Sequence, residues 1–269
     1  MERQIEKIGV MDSGLGGLTV VRELERILPG ENIVYFGDNA NCPYGNRPRE
    51  EIFKLSCAML DFMQKQGVKT VAIACNTIST LVQDLRERYE FPIVSIIEEA
   101  SKYVAAEGLP QVGVFATEFT ISQGSYKTLL GQLRPETKVF GIASRTLAAL
   151  VDEGRFSDGE TLEEVTSLLD KMKGMLCMPG HPELKHIVLG CTHYPIVQDL
   201  FEKAAPGLTF INPAAVQAEA VKAQLTGRGL LNNAQQPSLD IYTSGEKQPY
   251  EAAIKKLGIR GPLTVTVMS

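Results

Sequence analysis

Several features that would assign this 269-residue sequence to a special class are missing. No apolar stretch approaches the roughly 18–20 residues that cross a bilayer, which argues against a transmembrane helix. Residues 1–7 lack the apolar core of a signal peptide. The formal net charge is −5 and no basic run is long, which disfavours a nucleic-acid partner. We therefore expect a cytoplasmic protein with neither a membrane nor a nucleic acid as partner.

Close cysteine pairs are also missing, and the number of cysteines, five, is odd. Free thiols in a reducing compartment are the default for such a sequence, and we expect no metal site. Cys57, on an apolar helix face, and Cys177, in a short apolar segment, are expected to fill the core. The role of Cys42 stays open at this point.

Short runs rich in Val and Ile alternate with helical patterns, which predicts an α/β fold with mainly parallel sheets. The predicted strands are Lys7–Asp12, Asn32–Gly37, Thr70–Cys75, Pro92–Ile97, Gln111–Ala116, Lys138–Ile142, His186–Gly190, Leu208–Ile211 and Leu263–Met268. The predicted helices are Leu18–Leu28, Arg49–Gln66, Ile78–Tyr89, Phe119–Leu133, Leu162–Lys173, Pro195–Ala204 and Ala214–Leu225.

A weak internal repeat indicates two similar halves. The segment 8–13 resembles the segment 112–117, and Cys75 and Cys191 each end a similar apolar strand. We predict two α/β domains related by a pseudo-two-fold axis, with the active site in the cleft between them. The first domain would comprise residues 1–97 and 209–269, and the second would comprise residues 98–208.

The first loop at a predicted strand end contains Asp12, Ser13 and three glycines. In open α/β sheets, ligands bind at the carboxyl ends of the strands. Gly14, Gly16 and Gly17 allow the backbone to approach a ligand, and the spacing matches neither the dinucleotide fingerprint nor a P-loop. A small anion such as a carboxylate fits this loop better than a cofactor. A plain strand-to-helix turn explains it about equally well.

Two further loops carry candidate binding groups. The Tyr44 hydroxyl and the Gly45 N–H can bind a substrate, and Asp38 can instead cap a helix. Thr117 and Thr120 stand at a helix start, where capping explains their hydroxyls well.

The two cysteine loops carry the strongest signal. A helix after Cys75 would place its positive end beside the thiol, which predicts a lowered thiol pKa. Asn76 and Thr77 can cap that helix or bind a carboxylate. His193 follows Cys191 by two residues and can assist proton transfer, or can be an ordinary polar loop residue. Two facing thiols can remove a proton from one face of a carbon and supply one to the other.

Five of these segments, in this order, resemble the glutamate racemases of the cofactor-independent aspartate/glutamate racemase superfamily. The resemblance covers about residues 8 to 212, with a fainter similarity at 242–245. Its segments are Asp12-Ser13-Gly14 with Gly16-Gly17, Gly37-Asp38 with Pro43-Tyr44-Gly45, Ala74-Cys75-Asn76-Thr77, Thr117 with Thr120, and Gly190-Cys191-Thr192-His193-Tyr194-Pro195.

The resemblance implies a two-base mechanism without pyridoxal phosphate, and a role in supplying D-glutamate for peptidoglycan. It also implies a homodimer. By family position, Cys75 and Cys191 would be the acid–base residues, assisted by Asp12 and His193. The substrate would be held by Asp12, Ser13, Tyr44, Gly45, Asn76, Thr77, Thr117, Thr192 and His193.

Some positions depart from the family pattern. An assisting acid aligns with Asp152, with Glu153 one step away, and the choice between them stays open. The nearest alternative function is a racemase of aspartate or another small amino acid. A zinc hydrolase with Cys75, Cys191 and His193 as ligands is a second alternative. A periplasmic-type binding protein would need a signal sequence.

Overall fold

The computed structural model describes residues 6–176, 184–261 and 263–268, so the expectation for Cys177 lies outside the described residues. The strands are β1 (Lys7–Asp12), β2 (Ile33–Gly37), β3 (Val68–Ile73), β4 (Ile93–Ser95), β5 (Gln111–Thr117), β6 (Lys138–Ser144), β7 (His186–Gly190), β8 (Thr209–Ile211), β9 (Leu239–Thr243) and β10 (Leu263–Val267). The helices are α1 (Leu18–Ile27), α2 (Arg49–Lys65), α3 (Asn76–Ser79), α4 (Val82–Arg86), α5 (Ile96–Ala106), α6 (Glu118–Gln123), α7 (Ser125–Leu133), α8 (Leu147–Asp152), α9 (Gly159–Leu176), α10 (Gln198–Ala204), α11 (Pro213–Gly227) and α12 (Gln248–Leu257).

These strands form two parallel sheets, which confirms the predicted α/β class. One sheet has six strands in the order β10-β9-β2-β1-β3-β4, and the other has four in the order β6-β5-β7-β8. The order β2-β1-β3-β4 in the first sheet corresponds to β6-β5-β7-β8 in the second. The internal repeat therefore has a structural counterpart, because β1 matches β5 and β3 matches β7.

The strand register brings the candidate loops together within each half. Met11 at the end of β1 pairs with Ile73 at the end of β3. Ala116 near the end of β5 pairs in the same way with Gly190 of β7. The residues that follow these strands therefore leave each sheet side by side at its carboxyl edge.

The strand β8 lies in the second sheet, although we expected the chain from residue 209 onward in the first domain. His186 of β7 pairs with Thr209. A crossover through α10 places β8 beside β7, so the chain returns to the first half only with α11. That helix packs against α1 and α5. The domain limits themselves stay a prediction.

Two predicted helices are each interrupted. The segment 78–89 contains the end of α3 and the separate helix α4, and the Thr80 hydroxyl donates to the Thr77 carbonyl at 2.8 Å. Such side-chain bonds compete with a regular helix. The segment 119–133 is divided at Gly124, whose φ of 64° is left-handed and ends α6.

Four elements have no counterpart among the sequence predictions: β9, α5, α8 and α12. The expected strand 92–97 ends at Ser95, and Ile96 already begins α5. Among the described residues, no helix combines the length and apolarity that crossing a membrane requires.

Candidate active site

The thiols of Cys75 and Cys191 lie at corresponding strand ends and line one narrow cleft between the two halves. Both cysteines are free and buried. The empty volume of the cleft is about 280 Å³. The described residues that line it come from both halves: Ser13, Cys42, Pro43, Tyr44, Gly45, Cys75, Asn76, Thr77, Thr117, Ala148, Gly190, Cys191 and His193.

The glycines of the first loop bring the two halves into contact. A Cβ atom on Gly14 would lie 2.2 Å from a carboxylate oxygen of Asp152, and one on Gly16 would lie 2.5 Å from the Thr192 hydroxyl. Only a residue without a side chain fits at these distances. We expected the glycines to approach a bound carboxylate, whereas the closest neighbours of Gly14 and Gly16 belong to the opposite half of the protein, and that of Gly17 is Asp12 of its own half.

On the first side of the cleft, Ser13 connects a carboxyl group to the thiol. Ser13 Oγ lies 3.3 Å from Asp12 Oδ1 and 3.5 Å from Cys75 Sγ. Burial raises the pKa of the Asp12 carboxyl to about 6, although the His193 charge and a hydrogen bond from Thr192 lower it. A proton can pass between Cys75 and Asp12 through the Ser13 hydroxyl.

The Cys75 thiol is not activated in the way that the sequence indicated. Burial, together with the nearby Asp12 charge, raises its pKa to about 12. Hydrogen bonds from Ser13 and from the Ile78 N–H lower this pKa but do not outweigh burial. The helix after Cys75 is also short, with four residues. Cys75 is therefore protonated in this structure.

On the second side, a histidine takes the place that Ser13 has on the first. His193 Nδ1 lies 3.7 Å from Cys191 Sγ, and Nε2 lies 2.8 Å from Asp152 Oδ1. Burial lowers the pKa of His193, but its hydrogen bonds to Asp152, Cys191 and Cys42 outweigh this and leave the pKa well above its usual value. A cationic imidazole therefore stands beside the Cys191 sulfur.

Asp152 belongs to α8 but is held by donors from the other half. Its carboxylate accepts the Leu15 N–H at 2.8 Å and the Asn39 side-chain amide at 2.6 Å. The neighbouring Glu153 is exposed and pairs with Arg155. Of the two acids that the sequence left open, Asp152 is the one that contacts His193.

Asn76 presents an unpaired donor at the cleft. Its side-chain oxygen accepts a hydrogen bond from the Tyr126 hydroxyl at 2.8 Å. Its buried amide nitrogen has no partner within the described part of the chain. Buried donors are nearly always satisfied, so this nitrogen is available to a ligand carboxylate.

Three hydroxyls join the halves beside Asn76. The Thr77 hydroxyl lies 3.0 Å from that of Thr117 and 3.3 Å from that of Thr120. Thr117 Oγ1 also accepts the Thr120 N–H as the N-cap of α6, which confirms the capping interpretation.

Three other candidate residues are placed less directly. The Tyr44 hydroxyl donates to Asp38 at 2.5 Å, so this group is already paired although the ring lines the cleft. Gly45 lies against Thr117. Thr192 is buried and is not among the described residues that line the cleft; it lies behind it, against Gly16 and Asp12.

Asn39 and Cys42 also belong to this site, although the sequence interpretation gave neither a role. The Asn39 side-chain oxygen accepts hydrogen bonds from the hydroxyls of Tyr250 and Thr243 while its amide donates to Asp152. Cys42 lines the cleft beside His193. Both lie in a turn-rich loop, and only its unusual length could have marked them.

The ligand set of the zinc hydrolase alternative is not assembled. Among the described residues, the group of Cys, His and carboxylate side chains close enough to share an ion is Cys42, Asp152 and His193. Cys75 and Cys191 are not members of it.

A larger cleft, with an empty volume of about 1080 Å³, lies near the amino ends of β2 and β9 and is lined by Arg22, Arg26 and Arg260 among others. None of the described residues that line it is a cysteine or a histidine. It therefore lacks the acid–base groups of the site between the halves.

Known proteins are similar to this chain in sequence and fold over nearly its whole length. Residues 8–221 match the family described as Asp/Glu/Hydantoin racemase. A glutamate racemase from Carboxydothermus hydrogenoformans is 36% identical over 259 residues, which cover 96% of this chain and 92% of that protein. The structure of a glutamate racemase isoform from Bacillus anthracis matches with a TM-score of 0.87 and 30% identity, over 98% of both chains. A glutamate racemase from Francisella tularensis in complex with D-glutamate matches with a TM-score of 0.86 and 29% identity, also over 98% of both chains.

Proposed function

The chain belongs to the Asp/Glu/hydantoin racemase family, and we propose that it interconverts L- and D-glutamate with Cys75 and Cys191 as the two acid–base groups. The observation that carries this proposal is the pair of buried thiols at equivalent strand ends of two similar halves, lining one cleft. Inversion at a carbon requires a base on one face and an acid on the other, and two matched halves supply both.

The substrate would be held at the first half of the cleft. The unpaired Asn76 amide nitrogen would donate to a carboxylate oxygen, and the hydroxyl-bearing residues Thr77, from the same half, and Thr117, from the opposite half, also line the cleft. Because the protein has to stabilise charge that develops on the carboxylate, such fixed donors would supply much of the rate acceleration. General acid–base catalysis adds typically about 10²–10⁴-fold.

The surroundings of the two sulfur atoms support a definite starting state. The cationic His193 would stabilise a negative charge on Cys191 during the reaction, whereas burial and Asp12 keep Cys75 protonated. The Cys191 thiolate would remove the α-proton to form its own S–H bond, and the Cys75 thiol would give its proton to the opposite face. The reverse reaction exchanges these roles. Ser13 with Asp12, and His193 with Asp152, would then return the protons to their starting positions.

The biological role follows from the same resemblance. A supply of D-glutamate for peptidoglycan is the role that its motifs support, and a reducing cytoplasm would keep both thiols free, as the two-base scheme requires. Restored growth of a bacterium that depends on added D-glutamate would test this role. A homodimer remains a prediction.

The activity is tested by incubating the purified protein with L- or D-glutamate, without added pyridoxal phosphate, and measuring both enantiomers with chiral detection. We expect an equal mixture from either enantiomer, and little conversion of aspartate or alanine in parallel assays. Faster conversion of aspartate would contradict the proposed substrate, and no conversion of any amino acid would contradict the proposed activity.

A further inference from the structure

Beside the two thiols of the proposed reaction lies a third, Cys42, that the reaction does not use. It stands in the loop after β2, lines the cleft and is close enough to His193 for a hydrogen bond. The Cys42 sulfur, a His193 nitrogen and an Asp152 oxygen all lie within 4.8 Å of one another. One sulfur, one imidazole nitrogen and one carboxylate oxygen therefore lie close together at the edge of the cleft, which Cys42 and His193 line.

We propose that Cys42, Asp152 and His193 form a binding site for zinc or a chemically similar divalent cation. These three donor types are those found around zinc in proteins, at bond lengths of about 2.0–2.3 Å. A tetrahedral ion with such bonds separates its ligand atoms by roughly 3.3–3.8 Å, a spacing that shifts of up to about 1 Å in these side chains would produce. The thiolate disfavours magnesium and calcium, which prefer oxygen ligands.

The groups around the trio already hold its members in place. Asp152 accepts hydrogen bonds from the Leu15 N–H and from Asn39, and the second nitrogen of His193 faces Cys191. Hydrogen bonds of this kind fix the orientation of metal ligands. The three protein ligands leave a fourth position for water, an arrangement known from catalytic and exchangeable zinc sites.

Binding would exchange protons for the ion without any other reactant. The Cys42 S–H bond and the proton on His193 Nε2 would be lost to solvent as the ion bonds to both atoms, and the Asp152 oxygen would exchange its hydrogen bond with His193 for the ion. The imidazole would then keep a single proton, on Nδ1, and could no longer act as an acid toward Cys191. An ion at this site should therefore inhibit the racemisation, a consequence that rests on the proposed function.

The test measures binding and inhibition separately in the full-length protein. Co²⁺ serves as the spectroscopic probe, because a cobalt–thiolate bond gives a charge-transfer absorption band, and Zn²⁺ affinity is measured by competition. We expect one ion per chain, and Cys42→Ala and Cys42→Ser should each lose the band and weaken Zn²⁺ binding by at least about 100-fold, more than loss of an outer partner costs. The matched control is Cys57→Ala, which removes a half-buried thiol on α2 and should bind like the wild type.

Inhibition is then scored for each variant against its own metal-free activity, with a chelator to show reversal. The Zn²⁺ concentration for half-inhibition should rise by a similar factor in the Cys42 variants and stay unchanged in Cys57→Ala. Binding that persists in folded Cys42 variants, for example through Cys75 and Cys191, would overturn the inference, as would a wild type that binds no ion. Cys42-dependent binding by a protein without racemase activity would refute the proposed function and leave the metal site standing.

Discussion

Each half of the cleft has an equivalent strand, a cysteine and a following turn, yet the two sulfur atoms have neighbours of opposite charge. Cys75 has the hydroxyl of Ser13 as its neighbour and the buried carboxyl of Asp12 behind it. Cys191 has the imidazole of His193, with Asp152 behind it. An anion beside a sulfur favours the thiol and a cation favours the thiolate.

This difference shows how a repeated fold can serve a reaction that needs two unlike groups. Two identical surroundings would favour two thiols or two thiolates, and neither state can both remove and supply a proton. In the proposed reaction, the repeat would provide the opposed positions, and the residues that differ between the halves would provide the complementary protonation states.

Removing either sulfur atom should nearly abolish racemisation. We expect Cys75→Ala and Cys191→Ala each to lower kcat/KM for racemisation by roughly 10⁴-fold, the upper end of what one acid–base group contributes. Chiral detection of both enantiomers measures this loss, with Cys57→Ala as the matched control. A Cys191 variant that racemises normally would show that its half holds no acid–base group.

Ser13 with Asp12, and His193 with Asp152, form the two proton relays of the proposed reaction. Weakening one relay at a time should show that the two sides of the cleft act on different enantiomers. His193→Gln should lower kcat/KM by roughly 10²-fold, and Ser13→Ala by roughly tenfold, because Ser13 supplies one hydrogen bond. Racemisation has an equilibrium constant of one, so kcat/KM falls equally in both directions and cannot show which side of the cleft a substitution has weakened. The primary isotope effect with α-deuterated L- and D-glutamate can show this.

In each relay variant, proton transfer at the damaged side becomes more rate-limiting. The isotope effect should therefore rise for the enantiomer deprotonated there and fall for the other, with opposite preferences in His193→Gln and Ser13→Ala. Equal changes for both enantiomers would mean that these residues act only through the structure of the cleft.

Asn76 and Thr192, which directly follow the two cysteines, should contribute unequally to substrate binding. Asn76→Ala should raise KM for glutamate by about 10- to 100-fold, because the variant lacks the amide that would donate a hydrogen bond to the charged carboxylate of the substrate. Thr192→Val should leave KM near the wild-type value, since Thr192 lies behind the cleft. Steady-state kinetics of both variants measure this, and a larger KM effect at Thr192 would reverse the assignment.

The pH dependence of kcat/KM should reveal the titration of Asp12, the carboxyl group on the Cys75 side of the cleft. Asp12 has a raised pKa of about 6, so it is protonated below that pH and cannot accept a proton through Ser13. We expect kcat/KM to rise with pH through about 6, and Asp12→Asn to remove this limb along with most of the activity. Thr192→Val should move the limb to higher pH, because the Thr192 hydrogen bond lowers the Asp12 pKa. A limb unaffected by either change would belong to another group.

Much of this architecture could be predicted from the sequence, because buried parallel strands leave continuous apolar runs. Nine of the strands match predicted runs, and β9 was missed because only alternate residues, Leu239, Ile241 and Thr243, are buried in it. The placement of β8 was wrong because a short strand does not record which sheet it joins. The helix at 78–89 was wrong because local side-chain bonds interrupt it.

The site was predictable where a residue lies within two positions of a strand end, as Cys75 and Cys191 do. Asn39 and Cys42 reach it through a folded loop, and no pattern in sequence encodes such a path. The protonation of Cys75 depends on its burial in the folded protein, so the expectation of a lowered pKa from the following helix was wrong.

The most direct test of two opposed sulfur atoms uses a glutamate analogue with a leaving group on the β carbon, supplied as separate enantiomers. Elimination needs only one base, so each single-cysteine variant should retain it for one enantiomer. We expect opposite preferences, with Cys75→Ala acting on one enantiomer and Cys191→Ala on the other. The same preference in both variants would contradict it, because both sulfur atoms would then approach one face of the carbon.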